Sequence, residues 1–361
     1  MTVNPKGIEM RISIAVFAAA LVLLRSSPAV VAAEPKDVVA ASVAAMRGEN
    51  LILGSLRLGQ HWDGPEGATL KLVSEAHPLV VGSMLEAAAQ AHDLKVAQVE
   101  EIVVGFSPPT AGVLLVVLDN EKAADALDGK LTPTDGEESI GGRKFATYSK
   151  TGSSKSRIDP RVLQVGKLDA VKELFGTDRP RVAKEIAAAF LATAEKSNIL
   201  TVEASPSVFE GQLGGDVSKT PFAKLFAAKR WRVTFHAEKG LTVMLRAEFA
   251  DDAAAQAAVE PLQMCVGGLD AYLKMGEEQM PEAFRRKPVE YPRGPEVIPV
   301  MQRAFQETRK ALGVSKAAAA GNVAEVMIAI ETDRPVTTAV MLLSMLPRGE
   351  EKPAAKQPVN E

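Results

Sequence analysis

The sequence predicts an α+β protein of two related halves, each an antiparallel sheet with helices packed mainly on one face. Three observations carry that reading. Apolar residues alternate with polar ones, Met244 apart, through a β-hairpin over 231–249. Ala-rich stretches with apolar residues three and four apart mark helices between the strands. A strand–turn–strand–helix order occurs twice along the chain, which suggests duplication.

The first 33 residues have the order of a secretory signal. Lys6 and Arg11 precede an apolar run over 12–24; Arg25-Ser26-Ser27-Pro28 breaks it, and Val31-Ala32-Ala33 supplies the small residues for cleavage after Ala33. The run falls short of the roughly 20 residues that span a bilayer. An uncleaved anchor is the alternative. No cysteine follows the run, so lipid attachment at a processed N-terminal Cys is excluded.

Downstream, 36–46 is expected to be a helix, and 51–73 fits strand or helix equally well. Pro78 stands at the first turn of a helix over 79–92. A strand over 101–106 places Ile102, Val104 and Phe106 on one face, and the continuous apolar run 113–118 reads as a central strand. A short helix over 121–127, strands over 144–149 and 162–165, and a helix over 168–175 complete the first half, 34–177. Gly141-Gly142 opens the first of those two strands.

The second half, 178–347, begins with a helix over 181–196 and a strand in which Leu200, Val202 and Ala204 alternate with Thr201 and Glu203. In the hairpin, Trp231, Val233, Phe235 and Ala237 answer Leu241, Val243, Leu245, Ala247 and Phe249 across the loop Glu238-Lys239-Gly240. The glycine is expected to supply a left-handed conformation there. Asp251-Asp252 caps a long Ala-rich helix, bent or interrupted at Pro261, in which Gly267-Gly268 reads as the end of a segment. A Pro-rich link over 281–295 leads to a helix with Val297, Met301, Phe305 and Leu312 on one stripe. A strand holding Val326, Ile328 and Ile330 and a helix over 336–346 follow, and 348–361 is expected to be disordered.

The whole chain carries −3; without residues 1–33 its 39 basic and 44 acidic residues leave −5. That balance excludes a polyanion-wrapping protein, so nucleic acid is not an expected partner. No segment after the signal is apolar for long enough to span a membrane. One cysteine, Cys265, lies in an apolar stretch and reads as a buried thiol.

The signal segment, the Ala-rich helices and a repeated unit are similar to families of exported proteins of unknown function in planctomycete-type bacteria. In that unit Phe106 or Phe235 is followed by a turn, Gly112 or Gly240, and an apolar strand. The likeness covers 78–331 as layout and texture. It brings no catalytic motif, so no residue role is carried over.

Chemistry-bearing motifs are missing. His61, His77, His92 and His236 form no metal-ligand spacing, and no nucleophile elbow, phosphate loop or dinucleotide fingerprint occurs. No cofactor and no metal are therefore expected. One surface stands out. Matching the apolar faces of the hairpin sets His236 opposite Thr242, Thr234 opposite Met244 and Arg232 opposite Arg246. Opposed arginines repel mildly, so they need acids from Glu203, Glu248 or Glu325, or else an anionic partner. The face of Arg232, Thr234, His236, Thr242 and Arg246 is the candidate binding site. The leading expectation is an exported, non-catalytic binding or envelope-associated protein, in the periplasm, the envelope or outside the cell, whose partner is an envelope protein or anionic ligand. The alternatives are a periplasmic hydrolase assembled from distant residues and a carrier of apolar ligands.

Overall fold

The structure, a computed structural model, describes residues 35–47, 52–76, 94–106, 112–130, 135–149, 151–176, 184–193, 198–206, 219–286 and 293–345. The signal segment, the helix expected over 79–92 and the tail expected to be disordered lie outside the described residues.

Helix α1 (Pro35–Ala45) precedes β1 (Ile52–Leu56), and α2 (Gly59–Trp62) and α3 (Gly67–Ala76) come before β2 (Val99–Phe106) and β3 (Val113–Leu118). Then come α4 (Glu121–Lys130), β4 (Gly136–Ile140), β5 (Arg143–Tyr148), β6 (Ser153–Asp159), β7 (Val162–Lys167) and α5 (Leu168–Phe175). The second half contains α6 (Lys184–Thr193), β8 (Asn198–Ala204), α7 (Ala223–Phe226), β9 (Arg230–Ala237) and β10 (Leu241–Glu248). It closes with α8 (Asp252–Arg286), α9 (Gly294–Val314), β11 (Ala317–Ala320), β12 (Val323–Ile330) and α10 (Pro335–Met345).

The twelve strands among the described residues join one antiparallel sheet in the order β11-β12-β10-β9-β8-β1-β2-β3-β7-β6-β5-β4. The N-terminal and C-terminal strands meet where β1 pairs with β8, Gly54 opposite Val202. Pairing there removes the edge that each half would otherwise expose. On either side of this seam three strands meander outward and a hairpin returns to the third: β1-β2-β3 receives β7-β6, and β8-β9-β10 receives β12-β11.

Two cores cover the two faces. On the first face α8, α9 and α10 pack over the C-terminal strands and α2, α3 and α4 over the N-terminal ones, through residues such as Trp62, Leu127, Leu262, Phe305 and Leu343. On the second face α1, α5 and α6 pack through Val43, Leu174 and Phe190 against Leu53, Val103, Leu115 and Phe145. Strands β1 and β3 are thus covered on both sides, which is why every one of their residues is buried. Helices on a single face describe only the outer part of the C-terminal half.

The ambiguous stretch 51–73 divides into β1 and two helices. Three strands escaped the periodicity. β4 and β6 are polar (Gly-Glu-Glu-Ser-Ile and Ser-Ser-Lys-Ser-Arg-Ile-Asp), and β11 is four alanines. Their pairing is imposed by the neighbouring strands rather than by an apolar face. Helix α8 runs unbroken for 35 residues through Pro261 and Pro281. Its buried stripe, Ala255, Ala258, Leu262, Val266 and Leu273, supplies packing that offsets the lost hydrogen bonds. Gly267 accordingly lies in mid-helix and does not end a segment, and a side chain there would meet open space. The expected link over 281–295 shortens, because α8 continues through Arg286 and α9 begins at Gly294.

Helix starts follow their polar side chains. The Ala254 N–H donates to Asp251 Oδ1 at 2.8 Å and the Ala123 N–H to Asn120 Oδ1 at 2.8 Å. Gly240, by contrast, does not adopt the left-handed conformation expected of it. Glycine is required there by crowding, because a Cβ would lie 2.8 Å from the Ile330 carbonyl oxygen.

Candidate functional site

The hairpin pairs in the register that its apolar faces require: Ala237 with Leu241, His236 with Thr242, Thr234 with Met244 and Arg232 with Arg246. The apolar side of both strands lies under α8 and α10, which fixes the polar side on the second face of the sheet. The five candidate residues therefore share one surface, but they do not share one environment.

Arg232 lies inward. Its Nε donates to Glu203 Oε2 at 2.6 Å and its Nη2 to the Ala189 carbonyl of α6 at 3.3 Å, and the side chain is 17% exposed. Thr234 is buried opposite Thr201. His236 Nδ1 lies 2.9 Å from Asn198 Oδ1, and its Nε2 lies 3.5 Å from Glu238. Thr242 and Arg246 sit on the outer strand. Arg246 is 43% exposed, with Glu325 of β12 3.9 Å away. Beside it stand Met327, 57% exposed, and the exposed Ala329. The docking face expected across both strands is thus closed at Arg232 and Thr234, half-exposed at His236 and Thr242, and open at Arg246 and outward on β12.

Each opposed arginine has its own carboxylate. Glu203 answers Arg232, Glu325 answers Arg246, and Glu248 takes Arg230 at 2.5 Å. Glu203 has no exposed surface. Burial pushes its carboxyl above the usual carboxylate range, and Arg232 and Arg230 oppose that shift. The expectation that Glu203 and Thr201 alternate outward meets the covering helix α6, which turns this outward face into an interior.

Sequence reasoning did not reveal the polar band that continues across the β1–β8 seam. Ser55 donates its hydroxyl hydrogen to Glu101, and Arg57 Nη2 reaches the same carboxylate oxygen at 2.6 Å. The one signal available was polar residues, Ser55 and Arg57, at alternate positions of a stretch that fitted two structures. This serine is held by a carboxylate already shared with a guanidinium, an arrangement that fixes strands rather than activating a nucleophile.

Elsewhere, Cys265 of α8 is buried and borders a cavity of about 40 Å³ between that helix and Trp231, Leu245 and Ile328. Trp62 is buried within its own core. Among the described residues no group of three or more His, Cys, Asp or Glu is placed to hold a metal ion, and no helix is long and apolar enough to cross a membrane.

No protein family and no curated protein matches the chain. Among solved structures it is similar to one titled "Structure of crystal form I of TP0453", with a TM-score of 0.39 and 10% sequence identity over 84% of this chain and 97% of that one.

Proposed function

We propose that this is an exported, non-catalytic binding protein of the cell envelope that docks an envelope protein or anionic ligand on the second face of its sheet. The observation that carries the reading is the open end of that face, where Arg246 and Met327 stand exposed on neighbouring strands, away from the cluster that α1, α5 and α6 pack over. A cation beside an exposed large apolar side chain is the composition of a contact surface. The hydrolase alternative gains no activated nucleophile from the Ser55 cluster. The carrier alternative has about 40 Å³ under α8, against the roughly 300–1,000 Å³ of small-molecule pockets. The matching strand orders on either side of the seam also support descent of the two halves from one duplicated unit.

Protein recovered from the envelope fraction should begin at Glu34 on N-terminal sequencing. Immobilised, it should retain an envelope component that the double variant Arg246→Glu, Met327→Glu loses. Both substitutions are at exposed positions, where single changes move stability by less than about 0.5 kcal/mol, so the variant should melt with the parent. A chain still carrying Met1 in the cytoplasm, or a variant that retains every partner, rejects the proposal.

A further inference from the structure

Between β5 and β6 the sheet splits. The ladder joins Ala146 to Lys155, Thr147 to Ser154 and Tyr148 to Ser153 and goes no further, although β5 begins at Arg143 and β6 continues to Asp159. A groove of about 470 Å³ opens where the strands part, between Arg143 and Lys144 on one side and Ser156 and Arg157 on the other. Helix α1 lines it with Asp37, Val38 and Ala41. The volume falls within the range of small-molecule pockets, roughly 300–1,000 Å³.

Arg143 gives this groove its character. Its Nη1 donates to Ser42 Oγ at 3.1 Å and to Gln164 Oε1 at 3.0 Å, two neutral and fully buried side chains. The guanidinium carbon lies 5.6 Å from the centroid of the Phe175 ring. Among the described residues no carboxylate stands within ion-pair distance of Arg143, whereas Lys144 has Glu137 at 2.9 Å and Arg157 has Asp125 at 2.6 Å. Burial without a counter-charge depresses its pKa. The Gln164 amide nitrogen is also buried without a hydrogen-bond partner. A guanidinium anchored through one nitrogen by neutral acceptors keeps the rest of its planar fork for an oxyanion.

We propose that this groove binds a small organic anion, a carboxylate or phosphate monoester on a short apolar body. The fork of Arg143 receives the oxyanion; Lys144 and Arg157, each already paired with a carboxylate, border the mouth opposite Asp37. Val38, Ala41 and Ile158 provide the wall for the body. The site is independent of the hairpin surface, since β5 and β6 stand near one edge of the sheet and β10 and β12 near the other.

Calorimetric titration of the full chain at low salt with hexanoate, hexyl phosphate, inorganic phosphate and hexanol tests this. Hexanoate or hexyl phosphate should bind at one site with a Kd of about 1 mM or tighter, the range open to a ligand of this size. Their ranking tells a carboxylate site from a phosphate site. Hexanol, without the anion, and phosphate, without the body, should bind about tenfold more weakly or not at all. Arg143→Gln should weaken the better ligand by about tenfold or more, as expected for a lost charge-assisted hydrogen bond. Ala41→Phe fills the groove from α1 and leaves Arg143 in place; it should abolish binding, and it decides the matter if the glutamine variant fails to fold. Arg246→Gln should bind as the parent does. A parent that binds neither amphiphilic anion, a folded Arg143→Gln with unchanged affinity, or undiminished binding to Ala41→Phe overturns the proposal.

Discussion

Arg232 and Arg246 stand directly opposite each other and do different work. Arg232 is held between the buried Glu203 and a carbonyl of α6; Arg246 lies in the open with a carboxylate at 3.9 Å. Removing Arg232 leaves the buried Glu203 with Arg230 alone at 3.5 Å, a loss approaching the roughly 3 kcal/mol of a broken buried pair. An exposed, loosely paired side chain contributes less than about 0.5 kcal/mol. In urea titrations at neutral pH, Arg232→Leu should therefore destabilise strongly and Arg246→Leu hardly at all. The pH dependence follows from Glu203, whose carboxyl burial raises in the folded state. A raised carboxyl favours folding most below its unfolded value near 4.5, and that contribution is lost as the pH rises through the folded value. Deleting Arg232 takes away an opposing pull and raises the carboxyl further. The cost of Arg232→Leu should thus be largest at neutral pH and above, and should shrink as the pH falls towards 4.5. Equal costs for the two leucine variants, or a cost that grows on acidification, would refute this division of labour.

The turn between β4 and β5 shows how an element is fixed by two glycines in unlike ways. Gly141 and Gly142 both take left-handed backbone, φ 59° and 80°, and close the ladder at Ile140 opposite Arg143. A Cβ on Gly142 meets nothing, whereas one on Gly141 would stand 2.4 Å from the Phe175 carbonyl oxygen at the end of α5. Gly142→Ala should cost about 1 kcal/mol from backbone strain alone. Gly141→Ala should add about 1–3 kcal/mol from the forced overlap. Chemical denaturation of the two variants measures both, and a Gly141 variant as stable as the Gly142 one would show that α5 yields freely. Phe175 also presents its ring to Arg143, so this turn supports the wall of the proposed anion groove.

At the scale of the molecule, N-terminal and C-terminal strands share a sheet and the larger core. That core runs from Leu127 and Leu163 in the first half to Phe305 and Leu343 in the second. A sheet paired continuously across the β1–β8 seam, with one core beneath it, should unfold in one cooperative step. The two tryptophans provide the test, since Trp62 lies in α2 and Trp231 in β9. Trp231→Phe and Trp62→Phe each leave a single reporter in a different half. The two fluorescence transitions should coincide once corrected for the small stability change of each substitution, whereas midpoints separated beyond that correction would mean that the seam between β1 and β8 opens first.

The sequence by itself determined the parts whose residues state their own environment. The hairpin register, the central strand β3, the cap at Asp251 and the burial of Cys265 all follow from local periodicity or side-chain chemistry. What the tertiary structure decided is which polar residues face water. Glu203 and Arg232 alternate in sequence as surface residues do, yet α6 covers them; Arg246, with the same alternation one strand out, stays open. Polar β6 and all-alanine β11 became strands because neighbours offered unpaired backbone. The single sheet, the half-covered hairpin face and the groove at Arg143 depend on contacts between segments far apart in the chain. The physical reason is that alternation records which side of a strand a residue occupies, whereas burial of that side depends on what packs over it.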